Sequence, residues 1–182
     1  GWAAPVFAAR GAAPEWTPDW DRAVIAAALA AEDRAFDPSE QMLVRNVGGA
    51  FNYHSGLRNT RAHPTRESLT YAWLLMESGD PARPERAVRI IERVAALQEK
   101  DSSSKFYGIW GYHLEEPAPR MFRADWNWAD FNGATLALIL ARAGGRLPRT
   151  VHSQAVEALR HACESIQRRN VTMAYTNIAV QG

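Results

Sequence analysis

The sequence predicts an all-α protein of antiparallel helical hairpins in which inner and outer helices alternate. Three observations carry this reading. Hydrophobic residues recur at helical spacing almost throughout, segments apolar on every face alternate with one-sided segments, and short connections alternate with long ones. Of the 182 residues, 47% are hydrophobic and 23% charged, with a formal net charge of +1. These values suit one globular domain or part of a larger one.

The first helix opens at Thr17-Pro18, a capping residue followed by proline at the first helical position, and an Ala-rich run carries it to about Phe36. The second runs from about Thr65 to Ser78 and stops at Gly79-Asp80-Pro81; its middle, Leu69 to Met76, is apolar on nearly every face and reads as an inner helix. The third, about Pro84 to Gln98, has a single stripe of Ala87, Ile90, Ile91, Val94 and Leu97 opposite arginines, as an outer helix should. The fourth, opened by Asp125 to Trp128, continues into the all-apolar run Ala134 to Ala141, and the fifth, about Pro148 to Arg169, is one-sided again. A sixth helix starts at Tyr175-Thr176-Asn177, with Thr176 or Asn177 as its cap. One turn does not offset the cost of helix nucleation, so the sequence suggests a piece of a longer protein. Residues 1–16 read as an irregular segment rich in Ala and Pro, without the layout of a signal peptide, and 17–182 as a partial helical domain.

The links 79–83 and 144–147 are short, whereas 37–64 and 99–124 are long and rich in aromatics. Antiparallel neighbours put alternate loops at opposite ends, so the long loops share one face with the inner-helix N-termini. That face is the expected working surface. It gathers His63, Arg66, Glu67, Tyr107, Trp110, Tyr112, His113, Trp126, Asn127, Trp128, Asp130, Tyr175 and Asn177, beside helix ends that favour anions.

Balanced charge without a basic stripe argues against a nucleic-acid partner, and no apolar stretch approaches the roughly 20 residues of a bilayer span, so no membrane partner is expected. The lone Cys163 excludes an intrachain disulfide, leaves the compartment undetermined, and reads as a small packing residue. His63 and Glu67 have metal-ligand spacing for a helix, but Pro64 puts His63 in the loop, and capping is the better reading. His152 and His161 fall on the outer fifth helix as solvated or packed residues. Asp125 is either the cap of its helix or a catalyst; Trp126 and Trp128 are either core or ligand contacts; Trp73 reads as core and Trp110 as a surface-loop residue.

Alternating inner and outer helix pairs resemble the α/α toroid of carbohydrate-active enzymes. The stretch Asp125-Trp126-Asn127-Trp128, followed by Gly133 and a Leu-rich helix, resembles the Asn-Trp-Trp region of hyaluronate and chondroitin lyases, over about residues 63–182, with Trp-Asn-Trp where the family has Trp-Trp. The resemblance implies that Trp126 and Trp128 stack on sugar rings and that Asn177 binds a uronate carboxylate. The family's catalytic His and Tyr follow that Asn, which implies that they lie beyond Gly182 and that the chain alone is not a complete enzyme. The implied partners are an acidic oligo- or polysaccharide and the missing C-terminal part of the same chain.

Lyase chemistry removes a proton beside a carboxylate and expels the glycosidic oxygen by β-elimination. It needs donors to neutralise the uronate and a base, for which Asn177, Arg66 and His63 are the candidates, and it requires no metal or other cofactor. Asn127, Trp110, Tyr112 and Tyr175 join the two tryptophans as substrate-binding candidates. An inverting glycoside hydrolase would instead use two carboxyl groups roughly 6.5 to 9.5 Å apart, drawn from Glu115, Glu116, Asp125 and Asp130. A helical scaffold binding peptide or protein is the non-enzymatic alternative, although no motif repeats at fixed period. The Asp-rich motifs of terpene-cyclase toroids are absent.

Overall fold

A computed structural model describes residues 18–169. Five α-helices carry the architecture: α1 (Pro18–Asp33), α2 (Thr65–Glu77), α3 (Pro84–Ala96), α4 (Asn127–Ala143) and α5 (Arg149–Arg169). The fold is all-α in character, as the periodicity predicts. None of the described helices is long and apolar enough to cross a membrane.

Each helix follows from its apolar spacing. In α3, Ala87, Ile90, Ile91 and Val94 are buried along one stripe, with Pro84 in the first turn and Arg93 in the last. In α5 the buried stripe is Val151, Ala155, Ala158 and Ala162. Helix α2 buries Leu69, Tyr71, Ala72, Leu75 and Met76, and α4 buries Ala129, Leu136, Ile139 and Ala143. Short links make α2 and α3 one hairpin and α4 and α5 another. The hairpins stack in two layers, α2 beside α4 and α3 beside α5. Helix α1 packs on α2, where Asp33 accepts hydrogen bonds from Tyr71 Oη (2.5 Å), Arg86 Nη1 (2.9 Å) and Arg83 Nη1 (3.1 Å). Burial raises the Asp33 carboxyl, but these donors outweigh it and hold the group below the ordinary carboxylate range.

The first long link, which the sequence marks only as long and rich in aromatics, has regular structure of its own. It holds two antiparallel ribbons: β1 (Phe36–Asp37) with β2 (Met42–Leu43), and β3 (Arg45–Val47) with β4 (Thr60–Ala62). Strands of two or three residues are too short to print an alternating pattern.

The second long link is held from below by Trp110. Its side chain is fully buried, and Nε1 donates to Val94 O of α3 (2.8 Å). On either side of it the chain runs backbone against backbone. Gly108 has a left-handed φ of 77° and a side chain there would overlap His161 O; at Gly111 it would overlap Glu116 O. Thr65 then joins the link to the start of α2: its N–H donates to Tyr112 O (3.0 Å) and its hydroxyl to Gly111 O (2.8 Å), while Leu114 N–H donates to His63 O (2.9 Å). Both long links therefore lie over the beginning of α2.

Trp110→Ala should cost about 3–5 kcal/mol in urea unfolding, as other large-to-small aromatic core changes do. Trp110→Phe should cost less, through the smaller ring and the lost indole bond alone, because the Val94 carbonyl keeps the Leu97 N–H.

Candidate functional site

The tip of the β3–β4 hairpin folds down onto the second long link. Arg58 shapes it by donating to Ser55 O (2.8 Å), Leu57 O (2.5 Å) and Asn52 O (3.0 Å). Gly56 N–H donates to Glu116 Oε1 (2.7 Å), and Phe122 N–H to His54 O (2.8 Å). The result is a cleft of about 400 Å³ lined by Tyr53, His54, Lys105, Phe122, Arg123, Ala124 and Trp126, a size typical of small-molecule sites. Three of its aromatic rings reach solvent: Phe122 is 63% exposed, Tyr53 54% and Trp126 44%. The Trp126 indole is fixed by donation from Nε1 to Lys105 O (3.2 Å). Lys105 and Arg123 are exposed cations in the same wall.

His54 meets the cleft over a buried support. Its Nδ1 is 3.4 Å from Arg123 O and its Nε2 3.9 Å from Asp125 Oδ2. Asp125 is buried and accepts from Tyr112 Oη (2.5 Å) through Oδ2 and from Asn127 N–H (3.2 Å) through Oδ1. The second bond satisfies a backbone donor at the start of α4, so Asp125 serves the helix and the site together. Burial and the Asp125 hydrogen bond push the Tyr112 hydroxyl well above its ordinary range, which keeps it a fixed donor.

From this support a row of partly buried rings runs to the start of α2. Tyr53 and His54 centroids are 3.9 Å apart, His54 and Tyr112 6.0 Å, Tyr112 and Trp128 4.0 Å and stacked, and Trp128 meets Phe131 edge-on at 5.6 Å. Arg66 closes the row, its guanidinium carbon 4.0 Å from the Phe131 centroid.

A second polar group lies at the start of α2. His63 Nδ1 is 2.5 Å from Glu115 Oε1 and Nε2 3.2 Å from Asp37 Oδ2; only a protonated ring donates to both. Hydrogen bonds from the Ser39 hydroxyl and N–H, then from His63, hold the Asp37 carboxyl down to about 2. Burial raises Glu115, but the His63 N–H and ring outweigh it and lower that group too. Nearby, burial depresses His113 against the pull of Glu115, Glu67 and Glu116, and its ring lines a neighbouring cleft of about 420 Å³. Among the described residues no three His, Cys, Asp or Glu side chains converge as metal ligands would.

A family model described as a domain of unknown function, DUF8769, matches residues 22–181. The chain belongs to this family. No curated protein and no solved structure matches it.

Several residues that the sequence singles out have other duties in this DUF8769 fold. Trp110 is buried in the core beneath its loop and cannot stack on a ligand. Asp130 is 1% exposed and paired with Arg169 Nη2 (2.8 Å); burial raises its carboxyl and the arginine opposes that rise, so it is an internal ion pair. His63 is engaged on both nitrogens, and Glu116, 7% exposed, sits beneath Gly56. Trp128 has one face covered by Tyr112 and donates from Nε1 to Thr65 Oγ1 (3.2 Å). Asn127 Oδ1 lies 3.4 Å from Arg169 Nη1. Tyr112 forms the support below the cleft, and Arg66, which is exposed, lies over Phe131 at the far end of the ring row. Cys163 is exposed rather than packed. Asn177 and Tyr175, with residues 1–16 and the start of a sixth helix, lie outside the described residues.

Of the tryptophans singled out, Trp126 is the one that lines the cleft. The sequence reading missed Tyr53, His54, Lys105, Phe122 and Arg123, although the aromatic content of both long links was their signal.

The lowered Asp37 and Glu115 groups contribute stability that is fully present above about pH 5 and is lost as pH falls toward about 2, where Asp37 takes up its proton. The melting temperature should fall across that window. Asp37→Asn should lower it at neutral pH and flatten its acid slope.

Proposed function

We propose that this chain is part of an α/α toroid that binds an acidic, uronate-containing polysaccharide for lyase-like β-elimination. The observation that carries the proposal is the cleft itself, where solvent-facing Tyr53, Phe122 and Trp126 stand beside Lys105 and Arg123. Flat rings offer stacking faces to sugars, and the cations favour a carboxylate. The two-layered stack of hairpins is the unit that a toroid repeats around its axis.

In this reading Lys105 or Arg123 neutralises the uronate carboxylate, and His54 is the base. With Nδ1–H directed at Arg123 O, Nε2 carries the lone pair, and the Asp125 carboxylate 3.9 Å away stabilises the imidazolium that forms. His54 takes the C5 proton, the released electron pair forms the C4=C5 double bond as the C4–O bond breaks, and solvent protonates the departing oxygen. Tyr112 and Asp125 are positioning residues. An inverting hydrolase is less well supported, because Glu115, Glu116, Asp125 and Asp130 are each taken up by internal partners.

Calorimetric titration with chondroitin and hyaluronate oligosaccharides, against neutral cello-oligosaccharides, tests the proposal. Acidic ligands should bind, more weakly as salt rises, and Trp126→Ala should weaken them about tenfold, or ~1.4 kcal/mol. Equal binding of neutral and acidic ligands, or no binding by a chain with an unchanged melting temperature, overturns it.

A further inference from the structure

We infer that the groove continues past Trp126 into a second anion-binding subsite, so that the ligand is an acidic glycan chain crossing the indole rather than a single sugar. This rests on the carbohydrate reading above and adds the length and charge spacing of the ligand. On the far side of Trp126 lies a second cleft of about 320 Å³, which Trp126 and Lys105 line together with Ser104, Tyr107, Ser165 and Arg168. The first cleft shares both Trp126 and Lys105. The two are therefore neighbouring compartments of one groove, with the indole between them, half-exposed and held by its bond to Lys105 O.

The charges are arranged on both sides of that ring. Arg123 lines only the first cleft, Arg168 only the second, and Lys105 borders both. Arg168 is exposed yet oriented: its guanidinium carbon sits 4.3 Å from the Tyr107 centroid, and Nη1 donates to Ser102 O (3.1 Å). Neither contact neutralises it. Arg169, also on the rim, is discharged by Asp130 at 2.8 Å, which leaves Arg168 and Lys105, among the described residues, as the cations of this cleft open to a ligand. A polymer with a carboxylate or sulfate on units flanking the stacked ring would meet a cation on each side. A monosaccharide would meet only one compartment.

The test is calorimetric affinity as a function of length, with chondroitin di-, tetra- and hexasaccharides on the intact chain. Affinity should rise about tenfold from disaccharide to longer ligands. Arg168→Gln should remove most of that gain, leave disaccharide binding and the melting temperature unchanged, and so separate the far compartment from the near one. Arg123→Gln should weaken every length about equally. Disaccharide and hexasaccharide binding alike, or Arg168→Gln acting equally on all lengths, overturns the second subsite and leaves the carbohydrate reading standing. Failure of every acidic length to bind overturns both.

Discussion

The burial of Trp110 is the constraint on which the site depends. More than half of the residues that line the groove belong to the link between α3 and α4, a stretch with little regular structure of its own; the rest come from the β3–β4 hairpin and from α5. Such a stretch keeps its shape only if its backbone groups find partners and some side chain anchors it. Trp110 does the anchoring, with its ring in the core and its Nε1 on the Val94 carbonyl at the end of α3. Close approaches at Gly108 and Gly111 let the backbone lie flat on α5 and on its own return strand. From there Thr65 carries the order across to α2, so the link is tied to both layers of the helical stack.

Above that anchor the polar and aromatic groups are coupled rather than merely adjacent. The Asp125 carboxylate serves the first turn of α4, the Tyr112 hydroxyl and, at longer range, His54. Tyr112 in turn covers Trp128, whose Nε1 reaches Thr65. A change at any of these positions therefore acts on helix entry, ring stacking and cleft geometry at once, and such linked groups do not contribute additively. The carboxylates nearby are mostly spent on internal bonds, and the cations on the cleft walls give the groove its sign.

Much of the scaffold was legible because helical stripes of four or five apolar residues are strong signals. The ends of α2 and α5 fall within a residue of where periodicity and the Gly79-Asp80-Pro81 stop put them. The sharing of one face by both long links followed from loop lengths alone. What could not be read was burial within those links. Trp110 and Trp126 look alike in sequence, yet one lies beneath the loop and the other on its rim. Asp130 at a helix start looked available, but its partner Arg169 lies at the far end of the next helix. His54 went unnoticed because its importance comes from Asp125 and Arg123, on a separate segment that only the ribbons and the Gly56–Glu116 contact bring alongside.

The stacked pair at the base of the row has an optical consequence. Tyr112 and Trp128, 4.0 Å apart with planes 30° from parallel, hold two chromophores in a fixed asymmetric setting. Rigidly packed aromatics give near-ultraviolet circular dichroism that disappears when specific packing is lost while secondary structure survives. His54 and Tyr53 continue the row to the surface, so the groove floor carries its own chiral signal, readable without any attached label.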